Sequence, residues 1–215
     1  MVEQATRPET TSPAAELPRL KMTYEEFQDW YTEGRRGEWV DGEVIQFVAP
    51  KTIHLRISIF LASLISMFAR DHGLGEVLQT PELRLRDGRS FREPDLAFVS
   101  TANAGRITAD GIRGPADLVV ELVSDDSVRR DRKEKFDEYL AAGAPEYWVI
   151  DPRPLRRTFV AYTLTDEGFY DPISPDAAGW LNSVVIPGLG IAPSWFWEVP
   201  LADPRDKLAE IESAR

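Results

Sequence analysis

Cysteine is missing from this 215-residue chain, which excludes disulfides and thiolate metal centres. Long apolar runs are missing too. No stretch reaches the ~18 apolar residues of a membrane-spanning helix, and the most apolar helical segment, Ile57 to Phe68, is broken by Ser58, Ser63 and Ser66. No secretory signal is visible. These absences set the expectation of a cytoplasmic protein with no membrane association. A positive balance of charge is also lacking: 25 Lys and Arg stand against 36 Asp and Glu, a net −11. That balance argues against a protein that coats nucleic acid. The basic residues are nevertheless clustered. Arg129, Arg130, Arg132, Lys133 and Lys135 fall within seven residues, and Arg84, Arg86, Arg89 and Arg92 within nine. Such runs form either a local nucleic-acid-binding face on an acidic body or ordinary solvated charge.

Hydrophobic residues make up 43% of the chain, enough for one real core. Residues 1–18, rich in Thr, Pro, Ala and Glu, read as a flexible leader, and 19–215 as a single domain. Leu20 to Tyr31 reads as a helix with Thr23 and Glu26 in a capping box. Residues 38–48 read as a hairpin turning at Asp41-Gly42. Ile53, Ile57, Phe60, Leu61, Leu64, Ile65 and Phe68 recur at three- and four-residue intervals, one stripe of a helix over 53–70. Strands follow at 76–79 and 82–86, with a turn at Asp87-Gly88, then at 95–99 and 118–123. A helix over 127–142, capped by Asp126 or Ser127, precedes a strand at 146–150. Residues 157–163 pair with a strand near Phe169, and Val184 to Ile186 with the aromatic tail Trp195-Phe196-Trp197 completes the body. The sum is an α/β or α+β fold with a mixed central sheet flanked by helices. Trp195 and Trp197 read as packing residues, with base stacking as the alternative.

The chemistry lies in two misplaced acids. Glu121 sits inside Leu118-Val119-Val120-Glu121-Leu122-Val123, where a carboxylate is costly unless paired, protonated or bound to a metal. Asp95 opens Leu96-Ala97-Phe98-Val99 after Pro94. Two acids on adjacent inner strands suit a hard cation such as Mg²⁺, which takes one or two carboxylates with water and phosphate. The alternative is that Asp95 caps a turn and Glu121 pairs with an arginine. Asp131, Lys135 and Tyr139 are spaced i, i+4, i+8 on the following helix, so Lys135 can reach back toward the carboxylates; otherwise it forms a surface pair with Asp131. His54, at the edge of the apolar stripe, reads either as a residue of the site mouth or as a helix-terminal histidine bonded to backbone. His72 reads as a helix-terminal residue.

The order of elements resembles the Uma-two family of restriction-endonuclease-like proteins, within the PD-(D/E)XK nuclease superfamily. The matching stretches are Arg36 to Glu43, His54, Glu93 to Val99, Pro115 to Ser124, Arg130 to Tyr139 and Gly143 to Pro152. The resemblance implies a restriction-endonuclease-like core and metal carboxylates at Asp95 and Glu121. The superfamily's lysine normally lies two residues after the acid. That position is Val123 here, and Lys135 is the match on the next helix. Glu38 resembles the superfamily's additional acid. His54, Asp131 and Tyr139 match recurrent positions and stand as auxiliary residues. Asp125-Asp126 departs from the proline that usually follows Ser124.

The reading that follows is a Mg²⁺- or Mn²⁺-dependent endonuclease acting on nucleic acid, with DNA the expected substrate. Asp95, Glu121, Lys135 and Glu38 are its catalytic residues, and Arg129, Arg130, Arg132 and Lys133 its nucleic-acid contacts. Cutting both strands makes a homodimer the expected form. The alternatives are a non-catalytic nuclease-fold binding or assembly module, and a structural domain whose buried network pairs arginines directly with Glu121.

Overall fold

Short strands and amphipathic helices give, in chain order, β1 (Leu20–Lys21), α1 (Tyr24–Thr32), β2 (Gly37–Val40), β3 (Glu43–Gln46), α2 (Thr52–Asp71), β4 (Gly75–Gln79), β5 (Leu83–Leu85), β6 (Ser90–Arg92), β7 (Leu96–Ser100), β8 (Ile107–Thr108), β9 (Gly111–Arg113), β10 (Leu118–Leu122), α3 (Lys135–Ala142), β11 (Glu146–Asp151), β12 (Thr158–Leu164), β13 (Tyr170–Pro172), β14 (Leu181–Asn182), β15 (Gly190–Ile191) and α4 (Pro204–Ser213). The computed structural model describes residues 18–32, 34–47, 49–85 and 88–214. The expected leader lies outside these but for Pro18, as do Val48, Arg86 and Asp87.

Local chemistry explains the N-terminal elements. The Glu26 carboxylate accepts the Thr23 amide at 2.7 Å and the Thr23 hydroxyl accepts the Glu26 amide at 3.2 Å, the reciprocal closure of a capping box. The helix therefore starts at Tyr24, and Leu20–Lys21, expected inside it, pairs instead with Val44 and Glu43 as a strand. Asp41 and Gly42 both have positive φ, 47° and 89°, the twist a two-residue hairpin turn requires; β2 and β3 pair across it.

Two sheets form where one was expected. The main sheet runs β13-β12-β11-β10-β7-β4, and it is mixed because β10 and β11 pair in parallel. The second, of short strands, runs β1-β3-β2-β6-β5-β9-β8. All five residues of β10 are buried because each face of the main sheet carries its own core. Leu118, Val120 and Leu122 join Ile57, Phe60, Leu61, Leu64, Ile65 and Phe68 of α2. Val119 and Val123 join Tyr139, Tyr147 and Val149 on the α3 side, together with Leu83, Leu85 and Ile112 of the second sheet. Each large apolar side chain so buried stabilises the fold by roughly 1.5–3 kcal/mol. Alternation places Glu121 on the α3 face. α2 is long and apolar enough by composition to cross a membrane, but its stripe is spent on this core.

Beyond β13, β14 and β15 form a small antiparallel pair, and Val184 to Ile186 lies in the loop between them. The amides of Val184 and Val185 donate to the buried Glu146 carboxylate at 2.9 and 3.0 Å, alongside Trp148 Nε1 at 2.5 Å and Ser183 Oγ at 2.9 Å. A loop whose amides serve a side chain cannot also serve a ladder. Trp195 is buried in the main core, edge-on to Trp180, with the Lys207 ammonium over its ring. α4 was not anticipated, although Asp203 caps it, accepting the Arg205 amide at 2.8 Å, and Pro204 opens it.

Candidate active site

Strand register brings Asp95 and Glu121 to neighbouring positions. β7 and β10 pair antiparallel with Leu118 opposite Phe98 and Val120 opposite Leu96. One further step along that register sets Asp95 opposite Glu121. The ladder stops there because Pro94 precedes, and the Asp95 carboxylate turns inward instead. Its Oδ2 accepts the Leu122 amide at 2.6 Å and its Oδ1 bonds His54 Nε2 at 2.8 Å. His54 is thus neither a backbone cap nor a bare mouth residue: it stands at the start of α2 and holds Asp95.

Glu121 is 2% exposed. Its Oε1 accepts hydrogen bonds from Lys135 Nζ at 2.7 Å and Tyr139 Oη at 2.8 Å. Among the described residues all its hydrogen bonds fall on that one oxygen. Burial pushes its pKa well above the usual carboxylate range; Lys135 opposes this, while Asp131, Asp95 and Glu38 reinforce it. The expectation of an arginine directly on Glu121 is not met. Arg92 instead bonds Glu38 and Glu138.

Glu38 reaches the site from the second sheet. Trp39 faces the α1 cluster with Phe27, Val44 and Phe91, so Glu38, one residue earlier, points the other way. It is fully buried. Its Oε1 meets Lys135 Nζ at 2.9 Å and the Glu93 amide at 3.1 Å, and its Oε2 meets Arg92 Nη1 at 2.8 Å. Burial works against its charge, but Lys135, Arg92 and Arg130 overcome this and hold its pKa down to about 2. Arg92 also grips Glu138 at 2.7 Å through Nε and 2.6 Å through Nη2. With both oxygens engaged, Glu38 is arranged to orient Lys135.

Before α3 the helix makes one π turn, Arg130–Glu134, in which the Lys135 amide bonds the Arg130 carbonyl five residues back. The spacing of Asp131, Lys135 and Tyr139 is therefore not that of one regular helical face. Lys135 and Tyr139 both reach Glu121, whereas Asp131 Oδ1 lies 3.9 Å from Lys135 Nζ. Asp131 is buried and accepts the Ser127 hydroxyl. Burial, opposed by Lys135 and Arg130, pushes its pKa up to about 6. Ser127 also takes the Ser124 amide at 2.9 Å, so its hydroxyl ties the loop to Asp131 rather than capping a free helix end.

The basic runs are dispersed. Arg129 faces Glu134 at 3.6 Å, and Arg132 lies 3.0 Å from Asp151 and from Thr158. Lys133 is exposed, and Arg130 is turned in beside the site. Arg84 pairs with Glu82 and Arg89 with Asp41. Arg92, Glu138, Glu93 and Ser127 are site residues that sequence reasoning missed. The available signals were Arg92 standing three residues before Asp95 and Ser127 four before Asp131.

No three His, Asp or Glu side chains among the described residues form a metal-ligand set. The Asp95–Glu121 pair still fits a hard divalent cation, since Mg²⁺ is usually held by one or two carboxylates and keeps several waters. Glu121 also faces more acids than cations, an imbalance such an ion offsets.

The Uma2 family model, described as "Putative restriction endonuclease", matches residues 24–194. The crystal structure of "a putative nuclease belonging to DUF820 from Anabaena variabilis ATCC 29413" is similar, with TM-score 0.61 and 18% identity, covering 79% of this chain and 96% of that one. At this identity the likeness is one of fold. No curated protein matches the chain.

Proposed function

The chain belongs to the Uma2 family, and on that premise we propose that it is a metal-dependent endonuclease hydrolysing phosphodiester bonds of nucleic acid, with DNA as substrate. The observation that supports this reading is that buried Glu121, bonded to Lys135, has the Asp95 carboxylate near enough to act on its charge. Asp95 and Glu121 would hold Mg²⁺ or Mn²⁺. Such an ion, when bound, makes water a stronger nucleophile and steadies the phosphate. Hydrolysis joins the oxygen of water to phosphorus and breaks one ester P–O bond, leaving one phosphate and one hydroxyl end. His54 and the Leu122 amide fix the orientation of the Asp95 carboxylate. Lys135, fixed between Glu121 and Glu38, holds the Glu121 carboxylate in place for the ion. Tyr139 restrains Glu121 from the same side. Cleavage of both strands needs two such sites, hence a homodimer.

A second reading, a non-catalytic binding or assembly module, is favoured by the net charge of −11. Incubation with supercoiled plasmid separates the two. A nuclease converts it to nicked and linear forms in Mg²⁺ or Mn²⁺, not in chelator, and loses this on Asp95→Asn. Intact plasmid in both metals removes the nuclease reading.

A further inference from the structure

Resting on that reading, we propose that Arg130 is a catalytic residue: the cation that touches the scissile phosphate, with Lys135 serving to position Glu121. The two differ in how their donors are used. Lys135 is 3% exposed and lies 2.7 Å from Glu121, 2.9 Å from Glu38 and 3.9 Å from Asp131. Its two short contacts are both to buried carboxylates, Glu121 and Glu38. Turning to a phosphate would part buried ion pairs, which is costly.

Arg130 is in the opposite condition. Its side chain is 11% exposed, yet its approaches to Asp126 and Asp131, at 3.6 and 3.9 Å, are too long for hydrogen bonds. Its Nε is buried with no hydrogen-bond partner, and among the described residues no side-chain hydrogen bond forms to its guanidinium. An Nε donor buried without a bond is costly, and a guanidinium fork matches a tetrahedral phosphate in shape. Arg92, which is buried, shows the contrast, since its fork is spent on Glu38 and Glu138 at 2.6–2.8 Å. Arg130 is also placed for the role. Glu38, Asp131, Asp126 and Glu121 all act on its charge, and the π turn that begins at Arg130 leads directly to Lys135. Its neighbours Arg129 and Arg132 point to Glu134 and Asp151, so Arg130 is the one arginine of the basic run turned to the site.

The test uses the full chain, wild type, Arg130→Ala and Arg130→Lys, with thermal melts confirming folding. Two quantities are read: single-turnover plasmid cleavage in Mg²⁺, and the salt dependence of binding to a double-stranded oligonucleotide in Ca²⁺. Arg130→Ala should slow cleavage by roughly 100-fold, as loss of one charge-stabilising donor does, and guanidinium ion in the buffer should restore part of the rate. Its slope of log affinity against log salt should become shallower by about 0.9, one phosphate contact. Arg130→Lys, which keeps the charge and loses the fork, should fall between. Cleavage within threefold of wild type, or an unchanged slope, overturns the role of Arg130 while leaving the nuclease reading intact. Failure of the wild type to cleave removes the nuclease reading instead. The slope then decides alone whether Arg130 meets phosphate, and absence of any DNA binding overturns that as well.

Discussion

Replacing Glu38 by Gln removes a negative charge that is fully buried and touches Lys135, Arg92 and the Glu93 amide. An ordinary glutamate titrates at 4.5, and this one is held at about 2. That gap corresponds to about 3 kcal/mol of native-state stabilisation, at the lower end of the roughly 3–5 kcal/mol that breaking a buried ion pair costs. The folded-state value is depressed, so the contribution is complete above the unfolded value of 4.5 and is lost as pH falls toward 2. Urea unfolding of wild type and Glu38→Gln should therefore differ by about 3 kcal/mol at pH 7 and by about half of that at pH 3. The corresponding drop in melting temperature at pH 7 is roughly 6–12 °C for a chain of this size. A difference below about 1 kcal/mol at pH 7, or one as large at pH 3 as at pH 7, would refute the assignment of Glu38 as the buried counter-charge of Lys135 and Arg92.

Glu121→Gln should abolish Mg²⁺-dependent plasmid cleavage and yet raise the melting temperature of the metal-free protein above pH 7. Its raised pKa means the ionised form weakens the fold as pH rises above the unfolded value of 4.5, so the stability gain should shrink as pH falls toward 4.5 and be absent below it. Lys135→Met leaves Glu121, Glu38 and Asp131 without their shared cation, so it should cost roughly 3–5 kcal/mol in chemical denaturation. Tyr139→Phe removes one hydrogen bond to Glu121; the expected loss is about 1.5–3 kcal/mol by the same measurement. Glu146→Ala strands four donors far from the site; it should lower stability by several kcal/mol without changing the affinity for Mg²⁺ measured by calorimetry.

Features set by neighbouring residues were legible in the sequence. The Thr23–Glu26 box, the Asp41-Gly42 turn and the stripe of α2 each depend on spacings of a few residues. Glu121 was legible for a different reason: an acid within five apolar neighbours needs a partner wherever it folds. What stayed hidden depends on distant pairing. Arg92 looked like one more surface charge because its partners, Glu38 and Glu138, lie 54 and 46 residues away. The second sheet is built from strands of two to four residues, too short to print a period. Glu146 gave no warning because its donors come from a loop almost 40 residues on. The i, i+4, i+8 count for Asp131, Lys135 and Tyr139 assumed a uniform helix, which the π turn breaks.

That turn gives the helix two reading frames. Residues up to Arg130 follow one rotational phase, and residues from Lys135 onward follow another, offset by the wider turn between them. The second frame is anchored by Tyr139, packed in the core. Deleting the exposed Lys133 would restore a regular helix, and each residue removed from an α-helix turns what precedes it by about 100°. Ser127, Arg130 and Asp131 would swing off the site while Lys135 and Tyr139 stayed on Glu121. One residue of chain length at this point thus sets whether the two halves of the constellation face each other. The same freedom lets a lysine on a separate helix serve an acid that its strand neighbour, Val123, cannot.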